Sequence, residues 1–250
     1  MPRFSIITAS FNSQAHIADT IQSVKMQQGV DFEHLIIDGC SSDNTSSVVM
    51  GLMHPSLTFY SDPDKGVYDA MNNGAIVSSG EIVTFLNSDD YYAVDTALKQ
   101  VGKVFEDSTV DVCYANLDYV SKSNEKRIIR KWRSRSFKPG LFSKGWCPAH
   151  PTFFIRRSAL GNVGLFDLSY PIGNDVEWMM RALEVKRLKS VFIPNVLVKM
   201  RIGGISNSSL AAVLTQNLTI IKALKKFNLW NGFANFIFHK LISRIVQRFG

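Results

Sequence analysis

Cysteine is scarce in this chain, acidic residues vanish from its last quarter, and no stretch is apolar enough to span a bilayer. The three cysteines, Cys40, Cys113 and Cys147, are odd in number and widely spaced. They offer neither a disulfide framework nor the CxxC pairs of a zinc site, which points to a reducing compartment. The opening MPRFSIITASFN lacks the apolar core of a secretory leader, and no run reaches the roughly 18 apolar residues of a membrane span. A cytoplasmic location is therefore expected. GxGxxG and GxxxxGK[ST] are missing too, so neither the dinucleotide fingerprint nor the phosphate-cradling loop is in play. Internal repeats and low-complexity segments are also lacking.

The missing acids divide the chain electrostatically. Residues 1–184 carry 17 basic and 21 acidic residues (net −4), whereas residues 185–250 carry 11 basic and none acidic (net +11), so the overall +7 belongs to the end. A tail of that sign suits an anionic surface, either a membrane leaflet or a nucleic acid.

What is present reads as one domain plus an appendage, for 250 residues at 46% apolar content bury a substantial core. RFSIITASFN and FEHLIIDGCSSDNT are β-branched runs that end in small polar residues. Between them, Ile17, Ile21 and Val24 fall at helical spacing, with Gly29 as a stop. LTFYSDPDKG gives another strand, VYDAMNNGAIVSSG a helix closing at Gly80, and EIVTFLNSDD the next strand. This alternation predicts a parallel sheet covered on both faces. In such a sheet the loops crowd at the carboxyl edge, which places Thr8, Ser10, Asp38, Asp64, Lys65, Asn87, Asp89 and Asp90 on one rim. Later, VDVCYANLDYVSKSNEKRIIRKWR predicts two strands joined by a turn at Ser121 to Asn124, DVEWMMRALEVK a short helix, and LKSVFIPNVLVKM a final strand pair. Two apolar-basic helical stretches follow from Ser209, separated near Asn228 to Asn231.

TFLNSDDYY sets two carboxylates side by side at the mouth of an apolar strand. They repel each other and lose hydration, so a cation is expected to offset the cost. Mg²⁺ or Mn²⁺ bridging a diphosphate would do so. Asp89 and Asp90 would equally serve as caps for a helix over YYAVDTALKQVGKVF.

In order, FSIITASFN, LIIDGCSSDNT, SDPDKGVYDAMNNG, EIVTFLNSDD, CPAHPTFFIRR, NDVEWMMRAL and RIGGIS resemble the motifs of family 2 glycosyltransferases of the GT-A fold. The likeness runs from Pro2 to Ser206 and is greatest to bacterial members that build O-antigen, capsule or exopolysaccharide. It implies an α/β catalytic domain over residues 1–207: a nucleotide-sugar-binding half (1–92) with a mostly parallel sheet, and an acceptor half (93–207) carrying the base. Residues 208–250 form a helical appendage. The implied activity is inverting transfer from a nucleotide-diphosphate sugar to a hydroxyl of a saccharide carried on polyprenyl diphosphate. A soluble or protein acceptor, or a catalytically weak nucleotide-sugar-binding protein, are the alternatives.

Carried over by position, the resemblance assigns Thr8, Ala9, Ser10 and Asp38 to the nucleotide base, with Gly39 standing where the family has a second carboxylate. It assigns Asp64 and Lys65 to the loop closing over the nucleotide. The DxD motif corresponds to Asn87-Ser88-Asp89, with Asn87 on the ribose, Asp89 on Mn²⁺ or Mg²⁺, and Asp90 as second choice for the metal. The Asn removes one negative charge, so weak or optional metal dependence is conceivable. His150 is assigned to the metal or diphosphate, against a purely structural role. Asp175 is the implied base, its ordinary alternative being a helix cap. Arg201, beside Gly203 and Gly204, is a candidate phosphate contact or a plain surface turn.

EKRIIRKWRSRSFK places seven basic residues between Lys126 and Lys138. No nucleic-acid module accompanies them, so a nucleic acid is not an expected partner. They suit a lipid-linked diphosphate acceptor or a solvated strand face. In the tail, Trp230, Phe233, Ile237, Leu241 and Ile245 form an apolar stripe opposite a cationic face. That pattern fits peripheral attachment to the inner face of the cell membrane, or packing on the domain.

Overall fold

The apolar runs of the first 92 residues become four parallel strands. β1 (Phe4–Ser10) lies between β2 (Phe32–Asp38) and β4 (Ile82–Phe85), with β3 (Leu57–Ser61) outside β2. The computed structural model describes residues 3–203, 210–232 and 236. Every residue of β1 and β4 is buried, because helices cover both faces of the sheet. Side chains alternate across it: Ile7, Ala9, Leu35 and Ile37 pack with α3 (Val67–Val77), and Ile36 with α1 (Ile17–Lys25) and α2 (Thr45–Gly51). α3 sits so close that a Cβ on Gly74 would collide with Ile7.

The second half extends the same sheet. β5 (Tyr91–Tyr92) and α4 (Ala97–Val104) follow β4, then the long β6 (Val112–Val120) and β7 (Ile128–Trp132) form the expected hairpin. β8 (Phe154–Arg156) runs antiparallel between β4 and β6, and α5 (Arg157–Val163) and α6 (Asn174–Met180) come next. β9 (Ser190–Arg201) is parallel to β6, and its other edge takes β5. The order is β3-β2-β1-β4-β8-β6-β9-β5, with β7 on β6.

Three local readings are corrected. The final strand pair is one strand, β9. Pro194 cannot donate to the ladder, so the register with β6 shifts at Asn116, whose Nδ2 donates to the Pro194 carbonyl at 2.7 Å. The helix read from Tyr91 begins at Ala97, since Tyr91 and Tyr92 are spent pairing with β9. α2 and α5, each seven residues, escaped notice as too short for a helical period.

Packing does not break at the 207/208 boundary. α7 (Leu210–Lys226) buries Ile220, Ala223 and Leu224 in the same cluster as Trp178 and Met179. Trp230, the first residue of the apolar stripe, packs on that cluster with Phe236. Phe233, Ile237, Leu241 and Ile245 lie outside the described residues. No described helix is long and apolar enough to cross a membrane.

Candidate active site

The loop after β4 is fastened to α1. Thr20 Oγ1 donates to the carbonyls of Ser88 (3.0 Å) and Asp90 (2.7 Å), and the Ser13 and Ser88 hydroxyls meet at 2.7 Å. Asp90 turns down into the protein, fully buried, where it accepts from Asn87 Nδ2 at 2.8 Å. Burial, then the charge of Asp89, pushes the Asp90 carboxyl well above the usual range. Asn87, Ser88 and Asp89 line a cavity of about 780 Å³, whereas Asp90 does not. The doublet thus splits into a cavity-facing carboxylate and a buried anchor, and neither caps α4, whose N-cap is Thr96. Burial also raises the Asp89 carboxyl, while its own backbone N–H, Lys122, His16 and Arg201 pull the other way.

Along the nucleotide rim, Ala9, Ser10 and Asp64 line the cavity. Ser10 Oγ is buried without a hydrogen-bond partner among the described residues, so a donor or acceptor remains on offer there. Thr8, Asp38 and Lys65 do not line it. Thr8 is too deep in β1: its Oγ1 meets His34 Nε2 at 3.0 Å. Asp38 is fully buried and shapes the loop, accepting from the Ser41 N–H and hydroxyl and from Ser61 Oγ. Lys65 is exposed, and its backbone N–H caps onto Asp69. The site's missing carboxylate at Gly39 has a physical counterpart, because a Cβ there would lie 2.7 Å from Asp64 Oδ2. Asp64 occupies that space.

Across the cavity, α6 starts from Gly173, whose φ of 81° suits glycine, and Asn174 Nδ2 anchors the turn to the Asp167 carbonyl at 2.7 Å. Asp175, in the first turn, faces the cavity and accepts a hydrogen bond from Tyr68 on α3 at 3.1 Å. This contact joins the two halves. Burial, then the Asp175 charge, raises the Tyr68 phenol, which remains a donor. Glu177 points the other way, buried and paired with Arg181 and Lys226. His150 stacks on Phe85 (5.6 Å between centroids, 17°) and lines the cavity with a buried Nε2 that has no partner among the described residues. Burial lowers its pKa, with Asp175 opposing. Burial thus favours the neutral imidazole, whose Nε2 is left without a partner among the described residues.

Arg201 departs from the phosphate assignment. Its side chain is wholly buried and absent from the cavity lining; it donates to the Asp89 carbonyl (2.7 Å), Asp19 (2.6 Å) and Glu125, and stacks over Tyr91. It fastens the Asp89 loop to α1 and the β6–β7 turn. The cation that does face the cavity near Asp89 is Lys122, in that turn, which sequence reasoning passed over because nothing in SKSN marks it. Tyr68 was also missed, being 107 residues from its partner. Among the described residues no three His, Cys, Asp or Glu side chains cluster as a metal cage. Asp89 and His150 instead suit a hard cation that takes most of its ligands from substrate phosphates and water.

Residues 5–165 match the family model described as Glycosyl transferase family 2. A PGL/p-HBAD biosynthesis glycosyltransferase of Mycobacterium bovis is 29% identical over 214 residues, which cover 83% of this chain and 80% of the relative. A GalNAc(5)-diNAcBac-PP-undecaprenol beta-1,3-glucosyltransferase of Campylobacter jejuni is 36% identical over 94 residues, 36% of this chain and 30% of that one. Of solved structures, S. aureus TarS 1–349 in complex with UDP-GlcNAc superposes with a TM-score of 0.68 at 18% identity, covering 95% of this chain and 70% of that one. This chain spans only 42% of a longer TarS chain. The mannosyltransferase PcManGT of Pyrobaculum calidifontis, in complex with GDP-Man and Mn²⁺, gives 0.66 at 18%, covering 97% and 68%. At such identity the two structures speak to the fold, which is GT-A. With the family model matching well over half its length, the chain belongs to glycosyl transferase family 2 and is a glycosyltransferase.

Proposed function

We propose that this enzyme transfers a sugar, with inversion, from a nucleoside-diphosphate sugar to a hydroxyl of a lipid-linked saccharide in bacterial surface-glycan synthesis. The observation that carries the reading is that Asp89 and Asp175, from opposite halves of the fold, line one cavity. The donor's base belongs beside Ala9, Ser10 and Asp64, and its diphosphate beside Asp89 and Lys122. Asp175 takes the proton of the attacking hydroxyl as that oxygen bonds to the anomeric carbon; the bond from that carbon to the diphosphate breaks, and its electron pair leaves with the nucleotide. One displacement at one carbon inverts it, and no sugar–enzyme bond forms. Tyr68 holds Asp175 in place by its hydrogen bond.

Mn²⁺ or Mg²⁺, held by Asp89 and the lone pair of His150, would neutralise charge developing on the leaving diphosphate. Burial favours the neutral form of His150, and Lys122, His16 and Arg201 counter the burial that raises Asp89, favouring the carboxylate a cation needs. The lipid-linked acceptor draws support from the Campylobacter relative's name, and the cation from the archaeal mannosyltransferase complex. Attachment of residues 208–250 to the inner face of the membrane would bring enzyme and acceptor together; loss of anionic-vesicle binding on deleting Leu229 to Gly250 tests it, and unchanged binding refutes it.

The test of the reaction is release of nucleoside diphosphate from UDP-glucose, UDP-GlcNAc and GDP-mannose, with and without Mn²⁺, by wild type and Asp175→Asn. Donor-dependent release that is abolished in the variant supports it. A wild type that binds UDP yet turns over no donor establishes a nucleotide-sugar-binding protein instead.

A further inference from the structure

The seven cations between Lys126 and Lys138 separate into distinct roles once folded. Lys126, Arg127, Lys131, Arg135 and Lys138 are exposed, and Arg133 pairs with Asp118 at 2.6 Å. Arg130 does neither. Its guanidinium lies 4.0 Å over the Tyr119 ring and 5.3 Å from Trp132, and these two rings stack on each other at 14°. Its Nε is buried with no hydrogen-bond partner among the described residues, and all three side chains line the catalytic cavity.

A guanidinium centred over an aromatic face holds its charge there while N–H donors at its edge stay available to an oxyanion. Burying the Nε donor without a partner is costly, so the arrangement suits a ligand that supplies one. The carboxylates lining the cavity are Asp64, Asp89 and Asp175. On the reading above the first two face the nucleotide and the third is the base, and Arg130 has no acidic counterpart among the described residues. Resting on the transferase reading above, we infer that Tyr119, Arg130 and Trp132 form an acceptor subsite that binds an oxyanion of the acceptor, a phosphate ester or a sugar carboxylate, with the aromatic pair beside the sugar ring. The acceptor is thus an anionic saccharide whose charge sits close to the receiving hydroxyl.

Calorimetric titration of the full chain, saturated with UDP and Mn²⁺ so that the diphosphate position is filled, tests this. Glucose 1-phosphate, glucuronate and glucose are the probes. One of the two anions is expected to bind about tenfold or more tighter than glucose, the scale of one charge-assisted hydrogen bond. The tighter of the two names the anion. Arg130→Gln is expected to erase that preference and Arg130→Lys to keep part of it, while UDP affinity in both changes by less than about twofold. Equal binding of anions and glucose by wild type overturns the inference. So does a loss of UDP affinity in Arg130→Gln as large as the loss for the anion, for then the cation serves the donor. Failure of wild type to bind UDP or GDP at all defeats the transferase reading itself, an outcome distinct from either.

Discussion

The rim proposed for the nucleotide and the wall proposed for the acceptor enclose one cavity but are made differently. The rim consists of short polar side chains in loops that hold each other: Asp38 with Ser41, Asn12 with Ser42, Ser13 with Ser88. Most of its groups lie within motifs of ten residues. The wall assembles single residues from Tyr68, Tyr119, Arg130, His150 and Asp175, each delivered by a different element. A self-bonded rim tolerates exchange among its members, whereas each wall residue stands alone in its task. The acceptor side is therefore where single substitutions cost most.

The largest effect expected is on the wall. Asp175→Asn should lower turnover by about 10²–10⁴-fold, the range of a general base, while the UDP-induced rise in melting midpoint stays. Turnover within threefold of wild type would remove Asp175 from the reaction and equalise the two sides. Next comes the clasp between them: Arg201→Met should cost about 2–3 kcal/mol in urea unfolding, less than for a fully buried pair because Asp19 and Glu125 are 56% and 44% exposed. A loss below about 0.5 kcal/mol would mean that the Asp89 loop stands without it.

Within the nucleotide half, His34 is fully buried against Thr8, and burial lowers its pKa to about 3 from 6.5. Below pH 6.5 the unfolded chain therefore takes a proton that the folded one refuses, so stability falls as pH falls, by up to about 1.4 kcal/mol per unit, and is unaffected above. His34→Gln should reduce the slope between pH 6 and 5 by up to about 1.4 kcal/mol per unit, leaving the share of His54 and His150, whose pKa values are also lowered; an identical slope in the variant refutes the assignment. The smallest effect sharpens the rim's internal compensation. Gly39→Asp should weaken UDP binding about fivefold by displacing Asp64, and Asp64→Ser should relieve it in the double variant. Independent, additive losses would show that Asp64 does not fill the place of the absent carboxylate.

The contrast between rim and wall also explains what the sequence disclosed. Period and punctuation mark β1 to β4 and their loops, because the alternation of apolar runs and turn formers is local, although the bonds that hold those loops together are not. The motif likeness brought Asp89, His150 and Asp175 to one cavity. Its assignments of Thr8, Asp38 and Arg201 fall on side chains that lie outside the cavity lining and are already bonded, a matter of depth in the fold that residue type does not reveal. Tyr68, Lys122 and the selection of Arg130 from seven cations had no local signal. They depend on the hairpin register and on the α3–α6 approach, which arise from long-range packing.

β9 enters between β6 and β5, and its last residue reaches back 112 positions to grip the Asp89 carbonyl. On the ribosome, the nucleotide loops emerge long before that strand exists. A nascent chain therefore carries the loops after β1 to β4 yet leaves the Asp89 loop without this fastening until synthesis has passed Arg201, so the rim takes its final form only when the domain is nearly complete.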